Sequence, residues 1–290
     1  MTVHDASKAL LDAINKIYDD RESAAISDWV MEYITGWKRL ERIVNKKEML
    51  SASQVQQLEQ ITSQLLAHRP VQYILHEAWF HGIKMYVDEN VLIPRPETEE
   101  LVEWAIGVVD GWQKTIDRKK LRVLDVGTGS GCIPIALKKE RPALEVYACD
   151  ISDGALTVAR KNATLQKVEI EFMRLDFLNE ESRSALPFFD VIISNPPYIS
   201  TIEKSSIDKH VIEYEPHLAL FVPENDSLIF YRHLADFAKT HLAEEGNMLM
   251  EIHYEKGIDV KRVLNERGFA SEIKKDMNGN DRMVRAWKVN

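Results

Sequence analysis

The residues with the clearest chemical potential are Ser194-Asn195-Pro196-Pro197-Tyr198. They follow Asp190-Val191-Ile192-Ile193, an apolar run with the character of a buried strand in a parallel sheet. Two consecutive prolines bring no backbone donors and fix two φ angles, so the chain leaves the strand as a stiff loop. Asn195 Oδ1 and the Pro196 carbonyl can accept two N–H bonds from a planar nitrogen-bearing group, with Tyr198 packed on its face. Taken alone, the tetrapeptide is also compatible with a proline-capped turn beside an unrelated aromatic. A second site upstream decides between the two.

That second site starts with the strand Leu121–Val126, which feeds into Gly127-Thr128-Gly129-Ser130-Gly131 and a helix from Cys132 to Glu140. Glycines let a ligand approach the backbone, and a helix N-terminus offers free N–H groups. A second strand, Glu145–Asp150, ends in an acid about 20 residues beyond the glycines, where a carboxylate can accept both hydroxyls of a ribose. The third glycine comes one residue earlier than in the dinucleotide pattern, and Asp125 precedes the loop. This arrangement resembles the S-adenosylmethionine-dependent methyltransferases. The resemblance implies that Asp125 faces the methionine amino group and Asp150 the ribose. It also implies that Gly127, Thr128, Gly129, Ser130 and Gly131 surround the cofactor, with Asp176 and Phe177 at the adenine and Asn195 at the cleft's other side. S-adenosyl-L-methionine is then the methyl donor and S-adenosyl-L-homocysteine the product.

The elements that must position these residues can be read along 290 residues with 45% hydrophobic and 29% charged content, ordinary for a globular chain long enough for two domains. A net charge of −9 speaks against a broad nucleic-acid surface. Cys132 and Cys149 read as buried free thiols in a reducing compartment. There is no His-Glu-x-x-His pattern, signal-like start or long apolar run, so the expectation is a cytoplasmic protein without a metal site or membrane segment.

Residues 1–69 carry helical apolar spacing and read as a small bundle, with Trp29 and Trp37 in its core, a helix start at Ser51 and a capping box at Ser53 and Gln56. Residues 70–93 read as a β-hairpin connector whose strands are Val71–Leu75 and Ile83–Val87. Residues 94–290 form the catalytic domain. It begins with a proline-stiffened entry, Thr98 as N-cap and a helix to about Val109, followed by a polar linker from Gln113 to Lys120. Beyond Tyr198 the chain reads as an irregular flap through Phe221. A helix from Ser227 to Glu244, a strand from Asn247 to Ile252, a helix to Arg267 and a hairpin turning at Asn278-Gly279 then complete the chain. The expected fold class is α/β: a Rossmann-like class I methyltransferase sheet, a small N-terminal helical bundle and a β-hairpin connector.

Six blocks carry a narrower resemblance: Arg69-Pro70-Val71-Gln72-Tyr73-Ile74, Leu92-Ile93-Pro94-Arg95-Pro96-Glu97-Thr98-Glu99, Asp125 to Gly131, Asn195 to Tyr198, Tyr214-Glu215-Pro216, and Lys275 to Arg282. The chain is similar to the PrmC (HemK) methyltransferases, which modify glutamine at N5 in the Gly-Gly-Gln loop of class I peptide chain release factors. The resemblance implies a release factor as partner and an N-terminal bundle that recognises it. It places Asn195, Pro196 and Tyr198 in catalysis, and Asn195, Pro196, Pro197, Tyr198, Arg95 and Glu97 against substrate. The chain departs from the family at His76, where glycine is usual, and at His253 and Lys256, where glycine and glutamine are usual. Two other functions fit the loop itself: methylation of an exocyclic amine on a nucleic-acid base, and a non-catalytic adaptor. Acidic charge opposes the first, and intact glycine, acid and amide motifs oppose the second.

Overall fold

The computed structural model describes residues 1–113, 120–206 and 208–289. They form two compact units, Met1–Glu77 with Lys209–Tyr214, and Ala78–Asp208 with Glu215–Asn290. Most of the expected polar linker lies outside the described residues.

The first unit holds α1 (Val3–Ile14), α2 (Asp20–Thr35), α3 (Arg39–Val44), α4 (Ala52–Leu66) and α5 (Val71–Leu75). Leu10, Ile14, Val30, Met31 and Leu65 make its core, and Trp29 and Trp37 pack against it. The capping box of α4 is Ser51 with Gln54, not Ser53 with Gln56. The reciprocal bonds form at the last non-helical residue, which is Ser51. Val71–Leu75, expected as a strand, is helical. Pro70 presets the entry at φ −56°, its carbonyl takes the Tyr73 and Ile74 N–H groups, and Val71 and Leu75 join the bundle core. Tertiary burial outweighed the β propensity of five residues.

The second unit opens with a hairpin, β1 (Ala78–Phe80) and β2 (Ile83–Met85), turning through His81 and Gly82, both at positive φ. The expected strand at 83–87 thus pairs with 78–80. Next come α6 (Pro96–Gln113), β3 (Arg122–Val126), α7 (Cys132–Glu140), β4 (Glu145–Asp150), α8 (Asp153–Gln166), β5 (Glu171–Arg174), α9 (Glu180–Arg183) and β6 (Phe189–Ser194). Among its described residues, the segment after Tyr198 holds short regular elements where an irregular run was expected. It contains β7 (Ile199–Ser200), a 3-10 turn at Thr201–Ser206, α10 (Lys209–Tyr214, in the first unit), α11 (His217–Leu220) and β8 (Phe221–Val222), with β7 and β8 paired in parallel. The chain ends with α12 (Ile229–His241), β9 (Leu242–Glu251), α13 (Gly257–Asn265), β10 (Phe269–Lys275) and β11 (Asp281–Lys288). The helix expected to reach Glu244 stops at His241, because buried Leu242 pairs with Phe189 in the sheet.

The seven-stranded sheet has the order β10-β11-β9-β6-β3-β4-β5, parallel except for β11, which runs antiparallel to both neighbours. Successive strand residues point to opposite faces. Val123, Ile193 and Leu249 meet α6 and α7, whereas Leu124, Ile192 and Met250 meet α12 and α13. Both faces are therefore covered, as a parallel sheet requires.

Candidate active site

β3 and β6 are neighbours, with Val126 opposite Ser194, and Ser194 Oγ donates to the Val126 carbonyl at 2.7 Å. The glycine loop and the Asn195 loop therefore leave the sheet at the same level, at strand carboxyl ends where open α/β sheets take ligands. One cleft is lined both by Gly127, Thr128, Gly129 and Asp150 and by Asn195, Pro196, Pro197, Arg95 and Thr98. Asp176 and Phe177 join the first group. Asp125, Ser130, Gly131, Tyr198 and Glu97 are not on the cleft wall.

The glycine loop is an acceptor-rich cradle. Gly127 and Gly129 sit at φ +74° and +53° with open space where a side chain would be, as close ligand approach needs. Gly131 has a different job: a Cβ there would stand 3.1 Å from Ala159 Cβ, so this glycine lets α8 pack against the loop. Beneath the loop, Asp125 is fully buried and neither carboxylate oxygen has a hydrogen-bond partner, and the same holds for Thr128 Oγ1 and Ser130 Oγ. Burial pushes the Asp125 carboxyl up to about 7, with nearby Thr128 opposing the rise and Asp150 adding to it. Asp150 takes the N–H of Gly129 on Oδ2 and of Ser152 on Oδ1, both at 2.9 Å. These bonds oppose the upward push that desolvation gives its pKa. Asp176 Oδ1 accepts from Leu178 N, and Phe177 packs edge-on to Phe237. A buried carboxylate with no formed hydrogen bond, beside two hydroxyls that can accept or donate and under a loop with room at two glycines, fits an ammonium-bearing ligand such as S-adenosylmethionine. Burial holds both cysteine thiols protonated, Cys132 at about 12.

The Asn195 loop is tied to Thr98, which also lines the cleft, and through Thr98 and Tyr198 to Glu251, which the sequence reading missed. Asn195 Nδ2 donates to Thr98 Oγ1 at 3.0 Å, and Thr98 Oγ1 donates to Glu251 Oε2 at 2.7 Å. Tyr198 OH donates to Glu251 Oε1 at 3.2 Å, and its ring meets His253 edge-on. Glu251 is 2% exposed. Burial lifts its carboxyl to about 7 against the pull of Thr98, Arg282 and Tyr198, while Glu97 pushes the same way as burial. Thr98, expected as a helix cap, instead belongs to this network, since α6 already begins at Pro96. One signal was present in the sequence: an acid closing the apolar run Met248-Leu249-Met250. Arg95 pairs with fully enclosed Glu215, which also takes the Ile93 N–H at 3.2 Å. This bond draws the Pro-Arg-Pro-Glu block to the Glu215-Pro216 turn.

The departures at His76, His253 and Lys256 have local consequences. His76 lies in the left-handed region at φ 54°, ψ 37°, which explains why glycine suits that place. His253 rests on Tyr198 and Tyr254, and Lys256 is the N-cap of α13.

The sheet order, the reversed last hairpin and a cleft at the carboxyl ends of β3, β4 and β6 define a class I S-adenosylmethionine-dependent methyltransferase. Two solved structures share this fold: a human methyltransferase 10 domain containing protein (TM-score 0.51, 16% identity, 71% of this chain and 90% of that one) and the METTL16 methyltransferase domain (TM-score 0.51, 15% identity, 70% and 87%). Residues 112–217 match the methyltransferase small domain and residues 4–75 the PrmC N-terminal domain. The release factor glutamine methyltransferase of Flavobacterium psychrophilum is 41% identical over 98% of this chain and 99% of its own. Those of Lactococcus lactis (37%, 94% and 98%) and Streptococcus pneumoniae (42%, 82% and 82%) are similar in the same way. The chain belongs to the release factor glutamine methyltransferase family.

Proposed function

We infer that the protein transfers a methyl group from S-adenosylmethionine to the N5 amide nitrogen of the glutamine in the Gly-Gly-Gln motif of class I peptide chain release factors, in support of translation termination. The observation that carries this reading is the Asn195 amide: its nitrogen is tied to Thr98, and it lines the cleft that also holds the glycine loop. The cofactor, when bound, supplies an electrophilic methyl on a sulfonium centre.

An amide nitrogen is a weak nucleophile because its lone pair is delocalised into the carbonyl. Asn195 Oδ1 and the Pro196 carbonyl accept the two N–H bonds of the substrate amide and hold its nitrogen towards the glycine-loop side. Fixing that direction is worth several kcal/mol, on the order of what orientation supplies elsewhere. No base need act before attack, because the methylated nitrogen sheds its proton to solvent afterwards. Pro197 stiffens the loop, and Tyr198 braces it through Glu251. Arg95, with Glu97 beside it on α6, anchors the substrate-side rim.

Asp125 holds the donor's ammonium by charge from beneath the wall, with Thr128 and Ser130 as further acceptors. Gly127 and Gly129 keep the loop open, Gly131 seats it against α8, Asp150 takes the ribose, and Asp176 with Phe177 takes the adenine. The helical unit, Met1–Glu77 with Lys209–Tyr214, recognises the release factor in place of the expected 1–69, so the expected 70–93 connector shrinks to the hairpin after it, and the unit from Ala78 carries the chemistry. Among the described residues no helix is long and apolar enough to cross a membrane, and a cytoplasmic site of action without sequence-specific nucleic-acid binding follows from the substrate. Mass spectrometry of a class I release factor incubated with the protein and S-adenosylmethionine tests the reading. One added methyl on the Gly-Gly-Gln glutamine is expected, and an unmodified glutamine overturns it.

A further inference from the structure

An asparagine side chain has two ends of nearly equal size and opposite hydrogen-bonding character. If Asn195 serves as an acceptor, something must keep its oxygen, and not its NH₂, turned towards the substrate. Pro196 and Pro197 fix the backbone but have no bearing on the side-chain flip. Nor does any described donor reach Oδ1.

We propose that Glu251, acting through Thr98, is the positioning residue that sets the direction of the Asn195 amide. The number of protons available fixes the order of the links. A carboxylate has only acceptors, so Thr98 must give its single hydroxyl proton to Glu251 Oε2, at 2.7 Å. Having spent that proton, Thr98 Oγ1 can only accept from Asn195, at 3.0 Å, and the group facing it must be Nδ2. Oδ1 is then the end left for the substrate amide. The order of donors is Asn195 to Thr98 to Glu251, and Tyr198 donates to Glu251 from the other side at 3.2 Å. Reverse the first link and the last link reverses with it. A Glu251 that carried a proton towards Thr98 would make Thr98 a donor to Asn195 and swing Nδ2 into the substrate's place.

Glu251 is built for this. It closes β9 beside β6, whose next residue is Asn195, and it faces Thr98 and Glu97 from α6, Tyr198 from the loop and Arg282 from β11. Tyr231 of α12 donates to its backbone carbonyl at 3.1 Å. Arg282, itself paired with Asp276 at 3.3 Å, favours the ionised form, whereas burial and Glu97 oppose it, leaving a carboxyl that titrates at about 7. The relay therefore runs in the stated direction while Glu251 is ionised and loses that constraint once Oε2 carries a proton.

The proposal rests on Asn195 being the amide acceptor, so Asn195→Ala is included to separate the two ideas. Release-factor methylation is followed by transfer of labelled methyl from pH 5.5 to 9, with S-adenosylmethionine affinity by calorimetry. Thr98→Val, which keeps shape but has no hydroxyl, is expected to lower kcat by about 30-fold with cofactor affinity unchanged. Thr98→Ser restores activity to within about threefold of the parent. The parent and Thr98→Ser lose kcat as pH falls through about 7, and Thr98→Val and Glu251→Gln lack that limb. Parent-like turnover in Thr98→Val, or a serine variant as poor as the valine one, overturns the proposal. Should Thr98→Val not fold, the acid limb of Glu251→Gln decides, and its persistence overturns it. An active Asn195→Ala overturns the underlying reading, whereas an inactive one beside an active Thr98→Val overturns only the relay.

Discussion

At the end of β3 the buried oxygens of Asp125, Thr128 and Ser130 have no partners, whereas at the end of β9 the equally buried Glu251 is bonded on both oxygens and faced by Arg282. Both carboxyls titrate at about 7 because burial disfavours their charge. The difference lies in what completes them. Glu251 is completed by its own chain, so its network is an internal brace whose geometry exists before any ligand arrives. Asp125 is left without a donor from its own chain, which is costly for a buried acceptor, and the proposed ammonium site beside it would relieve that cost by charge. Under the proposed assignment, preorganisation belongs to the substrate side and unmet demand to the cofactor side.

Removing the end point of the brace gives the largest expected effect. Asn195→Ala should lower methyl transfer about 1000-fold or more while S-adenosylmethionine still binds, since the cradle is a separate set of residues. Single-turnover transfer and calorimetric binding measured together check it. Loss of both in parallel would erase the distinction between the two strand ends.

Next comes the orphaned acid. Asp125→Asn should weaken S-adenosylmethionine binding by about 100-fold, read by calorimetry, because the cationic ligand loses its counter-charge. The same variant should stabilise the ligand-free protein at high pH. The carboxyl's folded pKa of about 7 lies above its ordinary 3.8, so between those values the native state holds the extra proton. Stability therefore falls as pH rises through that window, and the loss is complete above pH 7. Asparagine has no such loss, and Tm at pH 8 should rise by about 5 °C, with little change at pH 4. Calorimetric melts at the two pH values decide it. An equal shift at both would mean that packing, not charge, governs the site.

These contrasts were legible from the sequence to different depths. The glycine loop, Asp150 and Asn195 could be placed because each depends on its near neighbours: glycine spacing, a strand's last residue, a proline pair. Glu251 and Thr98 could not. The bond between them spans 153 residues and that from Thr98 to Asn195 spans 97, so only the sheet order brings them together. Thr98 after a proline-rich entry looks like a cap when its true partner is out of sight. The strand expected at Val71–Leu75 failed for a related reason, since alternation over five residues fits a short buried helix equally well. The same limit hid the division of labour among the glycines. Gly127, Gly129 and Gly131 look alike in sequence, yet only the last is hemmed in by α8.

That division supports a smaller, stability-based effect. Gly131→Ala combines φ +79° with a Cβ contact of 3.1 Å to Ala159, so it should cost about 2–3 kcal/mol in urea unfolding. Gly129→Ala, at φ +53° in open space, should cost only about 1 kcal/mol and show its effect mainly in cofactor affinity. If the two variants lose stability equally, the packing role of Gly131 fails.

His76 tests the backbone part of that cost at a second position, in the helical unit and with an exposed side chain. At φ 54° and ψ 37° its Cβ crowds its own peptide carbonyl, a strain of about 1–2 kcal/mol for an L-residue. Glycine removes the strain but adds freedom to the unfolded chain, which returns up to about 1 kcal/mol. His76→Gly should therefore stabilise the protein by about 0.5–1 kcal/mol, measured as a higher urea midpoint at unchanged slope. His76→Val, β-branched at the same angles, should destabilise by more than the glycine variant gains. A glycine variant that melts earlier than the parent would show that contacts of the imidazole outweigh the strain. The backbone share assigned to Gly131→Ala would then have to be reduced and its collision with Ala159 made the larger part.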